Sequence, residues 1–204
     1  EGPRRAGEGL RRVDEAVVRE LSEGSLLALL APTLINKTDP QTMVLLPYRD
    51  ARVRSVLHEA KYHGNQKSFA LLAEALVEYL RDEPIERPVF VPIPLGKKRQ
   101  AKRGFNQVEE VLRHASTKLR IPIEENLLLR TRETVSQVSL PRFRRTQNMR
   151  GAFTINPSKI STLNLAVTYI VVDDVLTTGA TLDTALSTLK TGGAKHLLSI
   201  ALAH

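Results

Sequence analysis

Tyr169-Ile170-Val171-Val172-Asp173-Asp174-Val175-Leu176-Thr177-Thr178-Gly179-Ala180-Thr181 joins four physical statements in thirteen residues. An apolar run without polar alternation predicts a central strand buried on both faces, so its end is rigidly placed. Two carboxylates follow at the strand's carboxyl end, where open α/β sheets bind ligands. The small residues after them let backbone amides converge on an anion, with Gly179 permitting close approach. A helix starting near Thr181 then sets its positive dipole end beneath that anion. The plain alternative is a strand-turn-helix whose acids only cap the helix. A P-loop is ruled out because no Gly-Lys-Thr/Ser ending is present.

Working outward, Leu165 to Asp173 predicts the strand, Thr181 to Lys190 the helix, Gly192-Gly193 its stop and His196 to Leu202 a last strand. Upstream, Asp50 caps a helix over about Ala51 to Tyr62 that stops at Gly64-Asn65, and a second helix runs over about Ser68 to Arg81. Val89 to Ile93 is short, β-branched and bounded by proline, which reads as a buried strand entering a loop. Asn106 to Leu119 returns to helical spacing, and Leu127 to Arg130 and Gly151 to Ile155 read as short strands. The N-terminal part, Leu10 to Leu30, predicts a helix or helix pair closed by Pro32, and Met43 to Leu46 is a strand-like run among turn formers. Strands alternating with helices imply a parallel α/β sheet with right-handed crossovers.

With 204 residues, 42% of them hydrophobic, the chain can bury one substantial core, so one main domain is expected. It has no cysteine, which excludes disulfides, cysteine-ligated zinc and thiol catalysis. No apolar run is long enough for a membrane span and the start does not resemble a secretory signal, so a cytoplasmic protein without membrane insertion is expected. The first residue is Glu1 rather than Met, which points to processing or trimming. The net charge of +8 favours anionic partners such as phosphates, nucleotides or nucleic acid. Lys97 to Gly151 alone holds fourteen Lys and Arg against five Asp and Glu, although a solvated basic face would explain that too.

The Asp173–Thr181 stretch resembles, at every position, the motif by which type I phosphoribosyltransferases bind 5-phosphoribosyl-1-pyrophosphate (PRPP). The chain around it is similar to the competence-protein ComF family over roughly Tyr48 to His204. The blocks that carry this likeness are Lys61-Tyr62-His63-Gly64, Val91-Pro92-Ile93-Pro94-Leu95, Arg103-Gly104-Phe105-Asn106-Gln107, and the Arg130 to Phe153 stretch with Thr134, Gln137, Leu140, Arg145, Asn148 and Gly151-Ala152-Phe153. The resemblance implies a type I phosphoribosyltransferase-like fold, a central, mostly parallel sheet flanked by helices, over residues 48–204. An N-terminal helical extension would fill 1–47. Members of the family commonly carry a cysteine-rich zinc ribbon near the N-terminus. Here Leu26 to Pro32 is followed almost directly by Tyr48-Arg49-Asp50, so the expectation is that the ribbon has been lost or replaced and that this chain holds no zinc.

Asp173 and Asp174 would hold the ribose hydroxyls or an associated Mg2+, and Val175, Leu176, Thr177, Thr178, Gly179, Ala180 and Thr181 would wrap the 5-phosphate. Leu95, Gly96 and Lys97 correspond to the pyrophosphate loop, with an ordinary turn as the equally weighted alternative. Arg103 would approach the pyrophosphate, while Asn106 is better read as a helix cap. Lys61 is either an anion ligand or simply a cation suited to the last turn of its helix. The basic segment Arg130 to Arg150 falls where type I enzymes carry a loop that closes over PRPP, and there Arg142, Arg144, Arg145 and Arg150 would shield the pyrophosphate or grip a nucleic-acid backbone, the plain alternative being a disordered basic loop. His58, His114 and His196 lack metal-ligand spacing and are read as structural.

The functions implied are a PRPP- or ribose 5-phosphate-binding accessory factor in DNA uptake during natural transformation, or a Mg2+-dependent phosphoribosyltransferase acting on a nucleobase or other nitrogen acceptor. A single-stranded DNA-binding protein is the weaker third reading. DNA-uptake proteins are expected partners, and an oligomer is compatible with the sequence.

Overall fold

In a computed structural model of the chain, residues 13–131 and 151–204 are described. Helix α1 occupies 13–20 and α2 Glu23–Leu27; strands β1, Thr33–Ile35, and β2, Thr42–Leu46, follow. Then come α3, Ala51–His63, α4, Gln66–Leu80, β3, Pro88–Pro92, α5, Lys97–Arg103, and α6, Gln107–Leu119. The remainder is β4, Leu128–Arg130, β5, Phe153–Ile155, a 3-10 turn over Pro157–Thr162, β6, Thr168–Val175, α7, Ala180–Thr191, and β7, His196–Ala203.

Five strands form the main sheet in the order β1-β2-β7-β6-β3. β2, β7, β6 and β3 run parallel, and only β1 is antiparallel, at the edge beside β2. The uninterrupted apolar run of β6 has a structural consequence. Period-two alternation sends Ile170 and Val172 into a core built with α3, α4 and α6, and Tyr169 and Val171 into a second core built with α7 and the β4–β5 pair. Ile170, Val171 and Val172 are all fully buried, each contributing roughly 1.5–3 kcal/mol relative to exposure. The strand that carries the acidic pair is therefore clamped from both sides.

The helices begin and end where local chemistry dictates. Asp50 accepts from the amide of Arg52 at 2.8 Å to start α3, and Asn65 accepts from Lys67 and Ser68 to start α4. Asn106 accepts from the Val108 amide to start α6 and also donates to the Ile93 carbonyl at 3.0 Å, so the expected cap also ties α6 to the loop after β3.

Two departures from the sequence reading concern the ends of the sheet. Residues 1–47 were expected to be a helical extension, yet β2 pairs with β7 in the main sheet from Thr42 to Leu46. Thr42 is fully buried and its hydroxyl meets that of Ser199 on β7 at 2.9 Å, so this edge belongs to the core. The helical part docks as well, with Val18, Leu21 and Leu26 buried in the core that α3, α4 and α6 cover. The second departure is α5, a helix where the sequence predicts a loop after β3. Its sequence KKRQAKR buries no residue and so presents no apolar period to detect.

Candidate functional site

The carboxyl ends of β2, β3, β6 and β7 open into one cavity of about 970 Å3. Pro47 and Tyr48 reach it beyond β2, Ile93 to Leu95 beyond β3, Asp173 to Thr177 at the end of β6, and His204 beyond β7. This is the edge at which open α/β sheets gather ligands, because loops there are free to vary while the strands hold them in place. Lys61 from α3, Arg99 and Arg103 from α5, Arg130 at the end of β4, and Arg49 all line it too. Ile35, Val44 and Leu46 give one side an apolar wall.

Strand alternation separates the two carboxylates. Asp174 shares a face with Val172 and so meets α3 and α6. Lys61 Nζ lies 2.8 Å from Asp174 Oδ2, and Gln107 Nε2 donates to the same oxygen at 2.6 Å. Arg103 in turn donates to Gln107 Oε1 at 2.8 Å, and its guanidinium sits over the Tyr62 ring at 5.2 Å. The result is a chain, Arg103–Gln107–Asp174–Lys61, running from α5 to the end of α3. Asp173 faces the other way, half-buried, and accepts the Asp174 amide at 2.9 Å.

Their proton affinities diverge accordingly. Burial and the neighbouring charge of Asp174 push Asp173 up to about 7. Burial also opposes the Asp174 carboxylate, but the ammonium of Lys61 and the hydrogen bonds from Lys61 and Gln107 outweigh it and hold Asp174 below the usual carboxylate range. Burial works against the Lys61 ammonium in the same way, and Asp174 reverses it, leaving Lys61 raised. One acid is thus committed to an internal ion pair, while the other carries its charge conditionally, at the cavity wall.

The loop into α7 is held from behind. Gly179 has φ 83°, and a Cβ there would lie 2.6 Å from the Lys37 carbonyl oxygen, so only glycine fits. Lys37 Nζ donates to the Thr177 carbonyl at 2.8 Å, and His204 Nδ1 meets the Leu176 carbonyl at 2.7 Å. Lys37 Nζ is also 3.1 Å from His204 Nε2. One tautomer, with the proton on Nδ1, satisfies both contacts of the imidazole. Loop carbonyls are therefore occupied by the β1–β2 turn and the end of β7. The first amides of α7 have no carbonyl within the helix to bond. The buried Thr178 Oγ1 has no hydrogen-bond partner among the described residues.

Of the residues singled out in the sequence, Asp173, Asp174, Val175, Leu176, Thr177, Thr181, Leu95, Arg103 and Lys61 line the cavity. Thr178, Gly179, Ala180, Gly96 and Lys97 do not, Lys97 being exposed on α5. Arg145, with Arg142, Arg144 and Arg150, lies outside the described residues. What is described of that segment is its base, where Thr131 donates to the Ala152 carbonyl at 3.0 Å and Arg130 packs its guanidinium over Phe153 at 5.4 Å.

Sequence reasoning missed several groups. Arg99 stands one helical turn from Arg103, a spacing that becomes informative only once Lys97–Arg103 is known to be a helix. Gln107 sits inside the Arg-Gly-Phe-Asn-Gln block, where its polarity at a buried position was the available signal. Nothing local points to Lys37 or His204, which meet the loop from distant parts of the chain.

No protein-family model matches the chain. It is 33% identical over 128 residues to competence protein F of Haemophilus influenzae, an alignment covering 62% of this chain and 55% of that protein. It is also 33% identical over 147 residues to the DNA utilization protein YhgH of Escherichia coli K12, covering 68% of this chain and 61% of that one. The Salmonella typhimurium protein of the same name is 27% identical over 144 residues, with 68% and 61% covered. The matches thus span about three fifths of the length of these relatives. Among solved structures, adenine phosphoribosyltransferase of Leishmania tarentolae is similar with a TM-score of 0.45 and 16% identity, over 83% of this chain and 79% of that one.

Proposed function

We propose that this chain binds PRPP, or a related ribose 5-phosphate, in the cavity at the carboxyl edge of its sheet and serves as an accessory factor in DNA uptake. The observation that carries the ligand is the pair Asp173–Asp174 at the end of β6, followed directly by a glycine-pinned loop and the N-terminus of α7. In this reading the loop amides of 177–181 and the dipole of α7 receive the 5-phosphate. The ribose hydroxyls reach the carboxylates, and Lys61, Arg99, Arg103 and Arg130 face the pyrophosphate. The role in DNA uptake is supported by the names of its relatives, competence protein F and DNA utilization protein YhgH. A ligand this highly charged does not cross membranes, which keeps the proposed location cytoplasmic. No helix among the described residues is long and apolar enough to cross a membrane.

Mg2+ fits the same place. A divalent ion accompanying pyrophosphate would lower the charge of the leaving group, and Asp173, the carboxylate not paired with Lys61, would be the residue to hold it. This favours a second reading, an active phosphoribosyltransferase with a nitrogen acceptor. Asp174, kept ionised by Lys61 and Gln107, would then face positive charge developing at the sugar carbon, and the apolar wall of Ile35, Val44 and Leu46 would exclude water from it.

The two readings separate in a single experiment. The protein is incubated with PRPP and Mg2+, with and without a panel of nucleobases, while pyrophosphate release and PRPP binding are both followed. Binding without release selects the accessory factor; base-dependent release selects the enzyme; neither binding nor release defeats both.

A further inference from the structure

The end of α3 carries a second cluster of ligating side chains that the proposed PRPP site does not use. His58, Glu59 and His63 place one imidazole nitrogen each and one carboxylate oxygen within 4.8 Å of one another. Sequence spacing conceals this. His58 and His63 are five residues apart, which is not a helical face, and it is the last turn of α3, closing on Gly64 at φ 61°, that brings them around Glu59.

Three features set the cluster apart from a surface coincidence. Glu59 is only 2% exposed, and its Oε1 has no hydrogen-bond partner among the described residues. Its companions are Asn65 Nδ2 at 3.3 Å from Oε2 and His63 Nε2 at 3.7 Å from Oε1. A buried carboxylate oxygen left in that state is costly unless a cation faces it. Second, α1 contributes another carboxylate: Asp14 Oδ2 lies 3.0 Å from His58 Nδ1, while its Oδ1 accepts from the Ser55 hydroxyl at 2.6 Å. His58 Nδ1 makes no hydrogen bond among the described residues, so Asp14 is an ion-pair neighbour that a turn of the ring would convert into the orienting carboxylate usual for a metal-binding histidine. Third, the remaining distance is small. Ligand atoms around a tetrahedral ion with bonds of about 2.0–2.1 Å sit roughly 3.4 Å apart. Glu59 and His63 are nearly there, and His58, with its side chain 40% exposed, has room to turn.

We propose that His58, Glu59 and His63 form a binding site for one divalent cation of the zinc class, with Asp14 as a fourth ligand or as the group that orients His58. Two imidazoles and a carboxylate suit Zn2+ or Co2+ rather than Mg2+ or Ca2+, which prefer all-oxygen shells. The ion sits between α1 and α3, on the same helical end that presents Lys61 to Asp174. It thereby pins the N-terminal helix to the main domain. The sequence reads His58 as structural because it lacks metal-ligand spacing, and expects no zinc because the cysteine ribbon is missing. This donor set needs no cysteine.

The test uses the whole chain, stripped with a chelator and titrated with Co2+ by visible absorption and with Zn2+ by calorimetry. The Asp173→Asn variant is titrated in parallel so that the acidic pair cannot supply the signal. The proposal expects one ion per chain in both proteins, with cobalt bands characteristic of nitrogen ligation, at least tenfold weaker binding in His63→Asn and in His58→Asn, and a zinc-dependent rise in melting temperature that the double His variant lacks. Circular dichroism of the stripped variants establishes that they fold. Absence of stoichiometric binding, binding unchanged in the double His variant, or binding lost only in Asp173→Asn would each overturn it.

Discussion

Two strand-to-helix connections meet at the same edge of the sheet and are built on opposite principles. The β6–α7 connection is held by packing at both ends, with α7 sending Ala180, Leu182, Ala185, Leu186 and Leu189 into the core and Gly179 locked against Lys37. The β3–α5 connection leads into a seven-residue helix that buries nothing and is almost entirely cationic. The first is a rigid seat whose geometry is settled before any ligand arrives, which is how a site avoids ordering costs on binding. The second supplies charge from side chains that turn inward, Arg99 and Arg103, or outward, Lys97. If that contrast is right, changes in the first region act sharply and locally, and changes in the second act by degree.

The largest effect is expected from Asp174→Ala. It removes the acceptor that holds Lys61 and Gln107, and PRPP binding measured by calorimetry should fall at least about a hundredfold with the circular dichroism spectrum retained. Wild-type affinity in that variant would break the comparison at its strongest point. Arg103→Ala comes next, with an expected loss of about tenfold, since one charge-assisted contact of roughly 1.5 kcal/mol goes while the seat remains. A loss as large as that for Asp174 would mean that α5 shapes the site rather than charging it.

A smaller effect is expected from pH. The Asp173 carboxyl holds its proton up to about 7 in the folded chain, against 3.8 as its ordinary value. Between those values the folded state binds more protons than the unfolded one. The stability it contributes is therefore fully present below about pH 4 and is lost as pH rises through about 7. Urea titrations at about pH 5 and about pH 8 should show that loss in the wild type and a flatter profile in Asp173→Asn; equal slopes would remove the asymmetry between the two acids. Last, Lys97→Ala, on the solvent side of α5, should change PRPP affinity less than about twofold, because an exposed charge outside the cavity is well screened.

The strand and helix pattern was legible wherever burial imposes a period. β6, α3, α4, α6 and α7 lie within two or three residues of their expected bounds, because each presents a continuous or helical set of apolar side chains to a core. The element without such a set, α5, was not legible. β1 was obscured for another reason, since an edge strand of three residues carries little pattern, and although Met43 to Leu46 reads as strand-like, the place of β2 in the main sheet depends on the distant β7. In the site, the acids, the glycine and Lys61 could be read because they stand in one motif or at a helix end. The split between Asp173 and Asp174 could not, because it arises from Lys61 and Gln107, which are brought to one face by folding. The proximity of His58 to Glu59 and His63 was hidden in the same way, since it depends on how the end of α3 is folded.

The most direct test of the central claim is calorimetric titration of the chain with PRPP in the presence of Mg2+, followed by diffraction from crystals soaked in the same ligand. Saturable binding of one PRPP per chain is expected, with the 5-phosphate against the amides of residues 177–181 and the ribose against Asp173 and Asp174. No heat of binding, or a ligand lodged away from the end of β6, would contradict it.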